Sequence, residues 1–260
     1  MYSTHGGIFQ STITQAVRLL SSQPFFSSAY PPPNVSSSSL SPSSPDIIDP
    51  FSSSSLTYTT NGTDSFPAPS AYPSRRHSWV HIFPEGRVHQ HPTQSLRYFK
   101  WGVSRLILES EPMPEIVPVF IDGYQDVMPH DRNWPRFVPR AGKKIMIAFG
   151  ESVDTEWLFG DLRKKWKELV RLQKEALKKK GLPTDMALGE LTEELKYGQQ
   201  AVELRIEVTK RIRNEVVKLR RSLGYPEEDP KAGLVETWIE EGMTGNKSGR
   251  MEDGSLVGKT

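Results

Sequence analysis

Two charged side chains follow a short apolar run, and their spacing points to a site for a phosphate group. The run Val80–Phe83 precedes Pro84, Glu85, Gly86 and Arg87. Proline removes a ladder donor and glycine admits unusual backbone angles, so the run is predicted to be a buried strand ending at this turn, where α/β domains bind ligands. The arginine fork suits phosphate oxygens, and Glu85 is expected to hold it from the side. The alternative is a turn with a surface ion pair.

The histidines offer a second kind of chemistry. His89 and His91 are two residues apart, which in an extended segment places both imidazoles on one side, where a metal ion could bind. No third ligand stands nearby at a suitable spacing. We therefore expect solvated loop histidines, no metal site and no cofactor, and the metal site is the less favoured alternative.

Composition limits the classes of protein to consider. The chain has 260 residues, enough for one or two domains, but only 36% of them are hydrophobic, so part of the chain is predicted to remain unpacked. A net charge of +2 gives no general case for nucleic-acid binding. The absence of cysteine excludes a disulfide, a thiol nucleophile and a thiolate metal site. No apolar run approaches the roughly 18 residues needed to span a bilayer, and no secretory signal is visible.

Changes in composition divide the chain into five segments. Residues 1–23 and 77–153 have the alternation of apolar runs and turns typical of one α/β domain. Residues 24–76 interrupt it, and 26 of these 53 residues are Ser or Pro, so this insertion is predicted to be disordered. Residues 154–224 form a predicted helical extension, and residues 225–260 a flexible tail.

Apolar periodicity predicts the elements within these segments. A glycine-bearing strand end is expected to pass into a helix near Gln10–Leu20. Further helices are predicted at about 94–109, 155–180 and 186–223, and strands at 116–121 and 144–150. In the helix at 94–109, Arg97, Lys100 and Arg105 are expected to lie off the buried stripe.

The helix at 155–180 leaves two interpretations open. It combines an apolar stripe and two tryptophans with many basic residues, which is typical of a helix lying in a membrane interface. A helix docked on the core with solvated lysines fits equally well. The residues concerned are Trp157, Arg163, Lys164, Lys165, Trp166, Lys167, Arg171 and Lys174.

Several motifs together resemble one known family. Trp79–Val88 and Leu96–Ile107, with Gly7–Gln10 upstream and Ile116–Val119 downstream, are similar to segments of the tafazzin family in the glycerophospholipid acyltransferase superfamily. The resemblance covers about residues 1–20 and 77–150. It implies an α/β fold: the C-terminal part of a glycerophospholipid acyltransferase-type domain, with long C-terminal helices and the Ser/Pro-rich insertion.

The resemblance also implies an activity and a site. The family's activity is phospholipid–lysophospholipid transacylation without coenzyme A in cardiolipin remodelling. The implied partners are phospholipid and lysophospholipid of the cardiolipin and phosphatidylcholine type and a membrane surface, at a peripheral position on a mitochondrial membrane. Transferred by position, Glu85, Gly86 and Arg87 would bind the glycerophosphate headgroup, Arg87 standing where the family usually has lysine. The other implied substrate-binding residues are Phe83, Pro84, Val117 and Pro118.

One departure from the family pattern concerns catalysis. The family's catalytic signature is a histidine followed five residues later by an aspartate; the histidine is the general base and the aspartate orients it. None of the six histidines here has an aspartate at that spacing. The family carries this signature upstream of the segment that Gly7–Gln10 resembles, so we expect a chain truncated at its N-terminus and inactive alone. The alternative function is a non-catalytic lipid-surface or scaffold protein.

Overall fold

A computed structural model describes residues 8–21, 57–58, 66–67, 79–131, 134–135, 137–184, 188–234, 236, 249–250 and 256–257. Helices and short antiparallel strands alternate through these residues, which agrees with a mixed helix-and-sheet domain. No helix among them is long and apolar enough to cross a membrane. The chain divides into two compact units: residues 1–82, 101–114 and 155–208 form the first, and residues 83–100, 115–154 and 209–260 the second.

The first unit is helical. It contains α1 (Ser11–Leu19), α2 (Gly102–Glu109), α4 (Thr155–Lys179), α5 (Glu193–Tyr197) and the first part of α6 (Gln199–Ser222). All of α2 is buried, and α1 and α4 pack against it. The buried apolar side chains here are Val17, Val103, Leu106, Ile107, Leu108, Leu158, Phe159, Leu162, Trp166, Leu195, Ala201, Leu204 and Val208. The predicted α1 and α4 are confirmed to within two residues.

Arginines inside this helical unit contradict the expected polar face of α2. The Arg105 side chain is 1% exposed, and its Nε and Nη2 each donate to a Glu109 carboxylate oxygen at 2.7 Å. Its Nη1 and Nη2 also donate to the carbonyl oxygens of Ile8 and Gly189. The prediction that Arg105 lies off the buried stripe is therefore wrong, because its guanidinium pairs with the buried Glu109 carboxylate and donates to carbonyls of irregular segments.

Helix α4 is docked on the core along one side. Leu158, Leu162 and Trp166 are buried, and Arg163 donates to the carbonyl oxygens of Ile107 (2.6 Å) and Ser110. Of the residues proposed for an interfacial helix, Trp166 and Arg163 thus face the protein, whereas the lysines at 164, 165, 167 and 174 and Trp157 are exposed. The docked interpretation accounts for the buried side of α4.

The second unit contains the strands near the predicted phosphate site. β4 (Val119–Asp122) pairs antiparallel with β5 (Met146–Phe149), and the short helix α3 (Tyr124–Val127) lies between them in the chain. β3 (His89–Gln90) pairs with β7 (Leu256–Val257), which also pairs with β6 (Gly249–Arg250). The predicted strands at 116–121 and 144–150 are thus present in shorter form.

Two sequence-based assignments near the site are wrong. Residues 80–83 form no strand, and Phe83 at the end of the run is 68% exposed. Residues 94–100 belong to no helix or strand, and the helix begins only at Gly102. Leu96 and Phe99 are buried, as the apolar periodicity predicted, but Arg97 is buried as well. Gln94 has a φ of 54°, outside the α-helical range, and side-chain hydrogen bonds to this backbone stabilise the irregular conformation.

The C-terminal region differs from its predicted layout. The single helix expected at 186–223 is divided at Gly198 into α5 and α6, and the Thr192 side chain caps α5. Near the start of the predicted tail, Pro230–Gly233 forms a 3₁₀ helix and the Glu228 side chain is 5% exposed. Residues 24–76 lie outside the described residues except for the pair β1 (Thr57–Tyr58) and β2 (Phe66–Pro67), so their disorder and the domain boundaries stay predictions.

Candidate phosphate-binding turn

The residues of the predicted site form a hydrogen-bonded turn. The Gly86 N–H donates to the Phe83 carbonyl at 3.1 Å, and Gly86 has a φ of +64°, which L-residues with a side chain rarely adopt. The Lys100 N–H donates to the Pro84 carbonyl at 2.7 Å. The first hydrogen bond thus closes the turn, and the second joins it to the irregular segment 94–100.

Glu85 is held by backbone and by a histidine. Its Oε2 accepts a hydrogen bond from the Arg97 N–H at 3.0 Å and lies 3.6 Å from His89 Nδ1, an ion-pair distance when the imidazole is protonated. Sequence reasoning missed both partners, because it placed Arg97 in a helix where its N–H would bond a carbonyl. That Glu85 also orients Arg87 stays a prediction.

His89 is not a solvated loop histidine. Its side chain is only 8% exposed, and its carbonyl accepts a hydrogen bond from the Tyr124 hydroxyl. Burial, together with the nearby carboxylates of Glu85 and Asp122, raises the pKa of Tyr124 to about 12, so the hydroxyl is a donor at neutral pH. The start of α3 therefore lies beside the turn.

His91, the other member of the pair, also has its Nδ1 engaged. This atom accepts a hydrogen bond from the Thr93 N–H at 3.2 Å and lies 3.0 Å from the Thr93 hydroxyl. The rings of His89 and His91 are 5.8 Å apart and tilted by 43°. Each Nδ1 thus has a local partner of its own, Glu85 for one and Thr93 for the other.

Cationic side chains flank the glycine of the turn. Arg87 follows it in the chain and is half-buried, whereas Lys100 is exposed. The Lys100 side chain lies over Gly86, and its Cδ is 2.7 Å from the position that a Cβ on residue 86 would occupy. The ammonium-bearing side chain of Lys100 therefore lies next to the exposed backbone of Gly86, a position that the spacing of residues did not predict.

The second part of the predicted site belongs to the sheet. Pro118 is buried, its carbonyl accepts from the Gly150 N–H at 2.8 Å, and its ring packs against Gly150. Val117 is 47% exposed. Both residues share the unit of the turn, but the contacts described for Pro118 are with residues at the end of β5. Contact of one ligand with both parts stays a prediction.

Side chains of α6 hold the irregular segment 93–100 that hydrogen-bonds to the turn. Arg213 donates to the carbonyls of Leu96 (2.6 Å) and Arg97 (2.8 Å), and Arg220 to those of Thr93 (2.7 Å) and Gln94 (2.9 Å). Glu228 accepts from the Leu96 N–H at 2.7 Å and from Arg213 at 2.6 Å. Sequence reasoning missed these residues. The one available signal was the helical spacing of Arg205, Arg213 and Arg220 beside the apolar stripe of α6.

Replacing Gly86 tests the geometry of the turn. Gly86→Ala is expected to reduce the free energy of unfolding by about 1 kcal/mol, because alanine is strained at positive φ. Gly142→Ala is the matched control: Gly142 has a φ of +74° and no atom within 4 Å of a Cβ. Chemical denaturation should give similar losses for both, since the end of Lys100 can move aside. Headgroup binding should weaken only in Gly86→Ala, and equal binding in both variants would contradict the site.

No protein-family profile matches the chain. Tafazzin of Saccharomyces cerevisiae is 31% identical over 251 residues, an alignment that covers 93% of this chain and 57% of the yeast protein. Tafazzin of Drosophila melanogaster is 37% identical over 87 residues, or 34% of this chain and 22% of the relative. N-acylphosphatidylethanolamine synthase of Arabidopsis thaliana is 35% identical over 79 residues, or 30% of this chain and 28% of the relative.

The yeast alignment decides the relationship, since it runs through almost the whole chain. The chain spans little more than half the length of that relative and about a quarter of the other two. Two of these three relatives carry the same name. The chain belongs to the tafazzin family.

Proposed function

We propose that the chain is the headgroup-binding part of a phospholipid–lysophospholipid transacylase that remodels cardiolipin at a mitochondrial membrane, where it lies peripherally. Membership of the tafazzin family supports the acyltransferase class. A second relative, named for the synthesis of N-acylphosphatidylethanolamine, supports phospholipid as the substrate. The proposed partners are phospholipid, lysophospholipid and a membrane surface, without a cofactor and without nucleic acid.

The turn at 83–87 carries the proposal. Its carboxylate is fixed by the Arg97 N–H and its glycine is exposed; Arg87 follows that glycine in the chain, and the Lys100 side chain lies over it. Two cations beside an accessible backbone suit a phosphodiester, because charge-assisted hydrogen bonds are stronger than neutral ones. In this proposal Arg87 contacts the phosphate and Glu85 is a positioning residue.

The neighbouring residues are proposed to contact the rest of the lipid. Phe83 is exposed at the start of the turn, and the Pro84 carbonyl next to it accepts a hydrogen bond from the Lys100 N–H. The two residues therefore offer apolar surface beside the cations. Val117 and Pro118 are proposed to line the channel for the acyl chain or headgroup. Exposed apolar groups next to cations match the two chemical halves of a phospholipid.

The arginine of the turn gives the direct test. Arg87→Ala is expected to weaken binding of sn-glycero-3-phosphocholine, a soluble headgroup probe, by about 10- to 100-fold, since a charge-assisted contact is lost. Arg87→Lys should weaken it less, because the charge stays while the fork is lost. Glu85→Gln should fall between wild type and Arg87→Ala. Titration calorimetry measures the series.

Arg171→Ala, on the exposed side of α4, is the matched control and should bind the probe as wild type does. A folded Arg87→Ala variant with wild-type affinity would show that the turn is only structural.

One observation favours a second candidate, a non-catalytic lipid-binding or scaffold protein. None of the six histidines is followed five residues later by aspartate. In the described part of the chain, the carboxylate near His89 is Glu85, four residues before it, which also holds the Arg97 N–H. Both candidates share the phosphate site, so the Arg87 series supports either one, and an activity assay separates them.

A further inference from the structure

The hairpin of β4 and β5 has one apolar face exposed to solvent. Ile147 and Phe149 alternate along β5, Ile145 directly precedes it, and the exposed fractions of Ile145, Ile147 and Phe149 are 53%, 55% and 65%. In the antiparallel register Ile147 lies opposite Ile121 and Phe149 opposite Val119, so four apolar residues lie on the same side of the sheet. On the other side Phe120 is 3% exposed. The buried side therefore already forms the core, and the exposed side has no covering element among the described residues.

The loop that leads into β5 adds aromatic side chains and positive charge. Trp134 is 85% exposed and Phe137 is 76% exposed. The seventeen residues from 134 to 150 contain four basic residues and no acidic one. Lys143 and Lys144, both exposed, come directly before Ile145. Cationic groups thus stand at the entry to the apolar face.

This combination identifies one kind of partner. Tryptophan and phenylalanine next to lysine and arginine are typical of protein segments at a bilayer interface, where apolar groups enter the acyl region and cations meet anionic headgroups. A second protein copy would have to bring acidic side chains to this positive surface, and the hairpin itself has none between 134 and 150. Charge complementarity therefore favours an anionic lipid surface over self-association.

We propose that the surface formed by β5 and the loop 134–144, here called the β5 surface, binds anionic bilayers directly. This inference deepens the proposed function, since a transacylase acting on membrane lipids needs such a contact. It names a surface distinct from α4, the helix that the sequence suggested. The expected mode is shallow, with the apolar side chains at the headgroup boundary and the lysines at the phosphate level.

Paired lysine substitutions test the charge. Lys143→Gln with Lys144→Gln is expected to weaken binding to vesicles of phosphatidylcholine and phosphatidylserine by about 30-fold at low salt, at roughly one kcal/mol for each cation. Lys164→Gln with Lys165→Gln is the matched control on α4, where two adjacent exposed lysines are removed in the same way. The control should bind as wild type does. Co-sedimentation with vesicles measures both.

Aromatic substitutions test the apolar part. Trp134→Ser with Phe137→Ser should weaken vesicle binding by about 100-fold, because each buried aromatic contributes about a factor of ten or more. Trp157→Ser is the control, since Trp157 is 78% exposed on α4. If Trp157→Ser weakens binding as strongly as the loop pair, α4 is the contact and the proposal is wrong.

Four further outcomes are decisive. Wild-type protein that fails to bind the anionic vesicles would overturn the proposal. So would a wild-type dimer in sedimentation velocity that the Trp134 and Phe137 substitutions convert to monomer, because the surface would then be a protein interface. Arg87→Ala that binds vesicles normally but loses the headgroup probe supports both proposals as separate functions. Lost vesicle binding in the β5 surface variants with intact probe binding supports the surface alone.

Discussion

The 260-residue chain is expected to transfer no acyl groups between a diacyl phospholipid and a lysophospholipid above the rate without protein. The general base contributes about 10²- to 10⁴-fold to such a reaction, and this chain has no histidine with an aspartate five residues later. The His89–Glu85 pair is no substitute, because the His89 side chain is 8% exposed and Glu85 is fixed by the Arg97 N–H. Conversion of labelled lysophosphatidylcholine to phosphatidylcholine on donor vesicles measures the rate.

A fusion supplies the comparison for this assay. A fusion of this chain to the part of yeast tafazzin that the alignment does not cover should show transfer, and Arg87→Ala in the fusion should reduce it. The yeast protein is the positive control for the substrates. Transfer by the unfused chain that Arg87→Ala abolishes would mean that another residue acts as base. If neither the unfused chain nor the fusion transfers acyl groups while both bind the headgroup normally, the non-catalytic candidate is favoured.

The long helices were predictable from the sequence because their apolar residues repeat over many turns. In α4, Leu158, Leu162 and Trp166 are buried as the periodicity indicated. The turn at 83–87 was also predictable, since proline and glycine act through local backbone geometry that needs no tertiary partner. Gly86 indeed has positive φ.

The segment behind the turn was not predictable in the same way. Residues 94–100 have the pattern of an amphipathic helix, but Arg213 and Arg220, more than a hundred residues later, bind the carbonyl oxygens that a helix would use. Tertiary hydrogen bonds of this kind outweigh local propensity, which amounts to a few tenths of a kcal/mol per residue. The positions of Glu85 and His89 depend on this segment, so the spacing of residues along the sequence could not predict their partners.

Removal of Arg213 is expected to have the largest effect on stability. Its side chain is 9% exposed, pairs with Glu228 at 2.6 Å and binds the carbonyls of Leu96 and Arg97. Arg213→Met keeps most of the volume but leaves the Glu228 carboxylate, itself 5% exposed, with the Leu96 N–H and a more distant cation, Arg220 at 3.7 Å. Breaking a buried pair in this way reduces the free energy of unfolding by about 3–5 kcal/mol. Chemical denaturation followed by circular dichroism measures the loss.

The same substitution at Lys218, on the same helix, is the control. Lys218 is 63% exposed and pairs with Glu215 at the surface, so Lys218→Met should change stability by less than about 1 kcal/mol. Because Arg213 fixes the segment whose Arg97 N–H holds Glu85, Arg213→Met should also weaken binding of the headgroup probe under conditions where the variant is folded. Full stability in Arg213→Met would show that α6 does not hold the segment 93–100 in place. Lost stability with unchanged probe binding would separate the support of the fold from the positioning of Glu85.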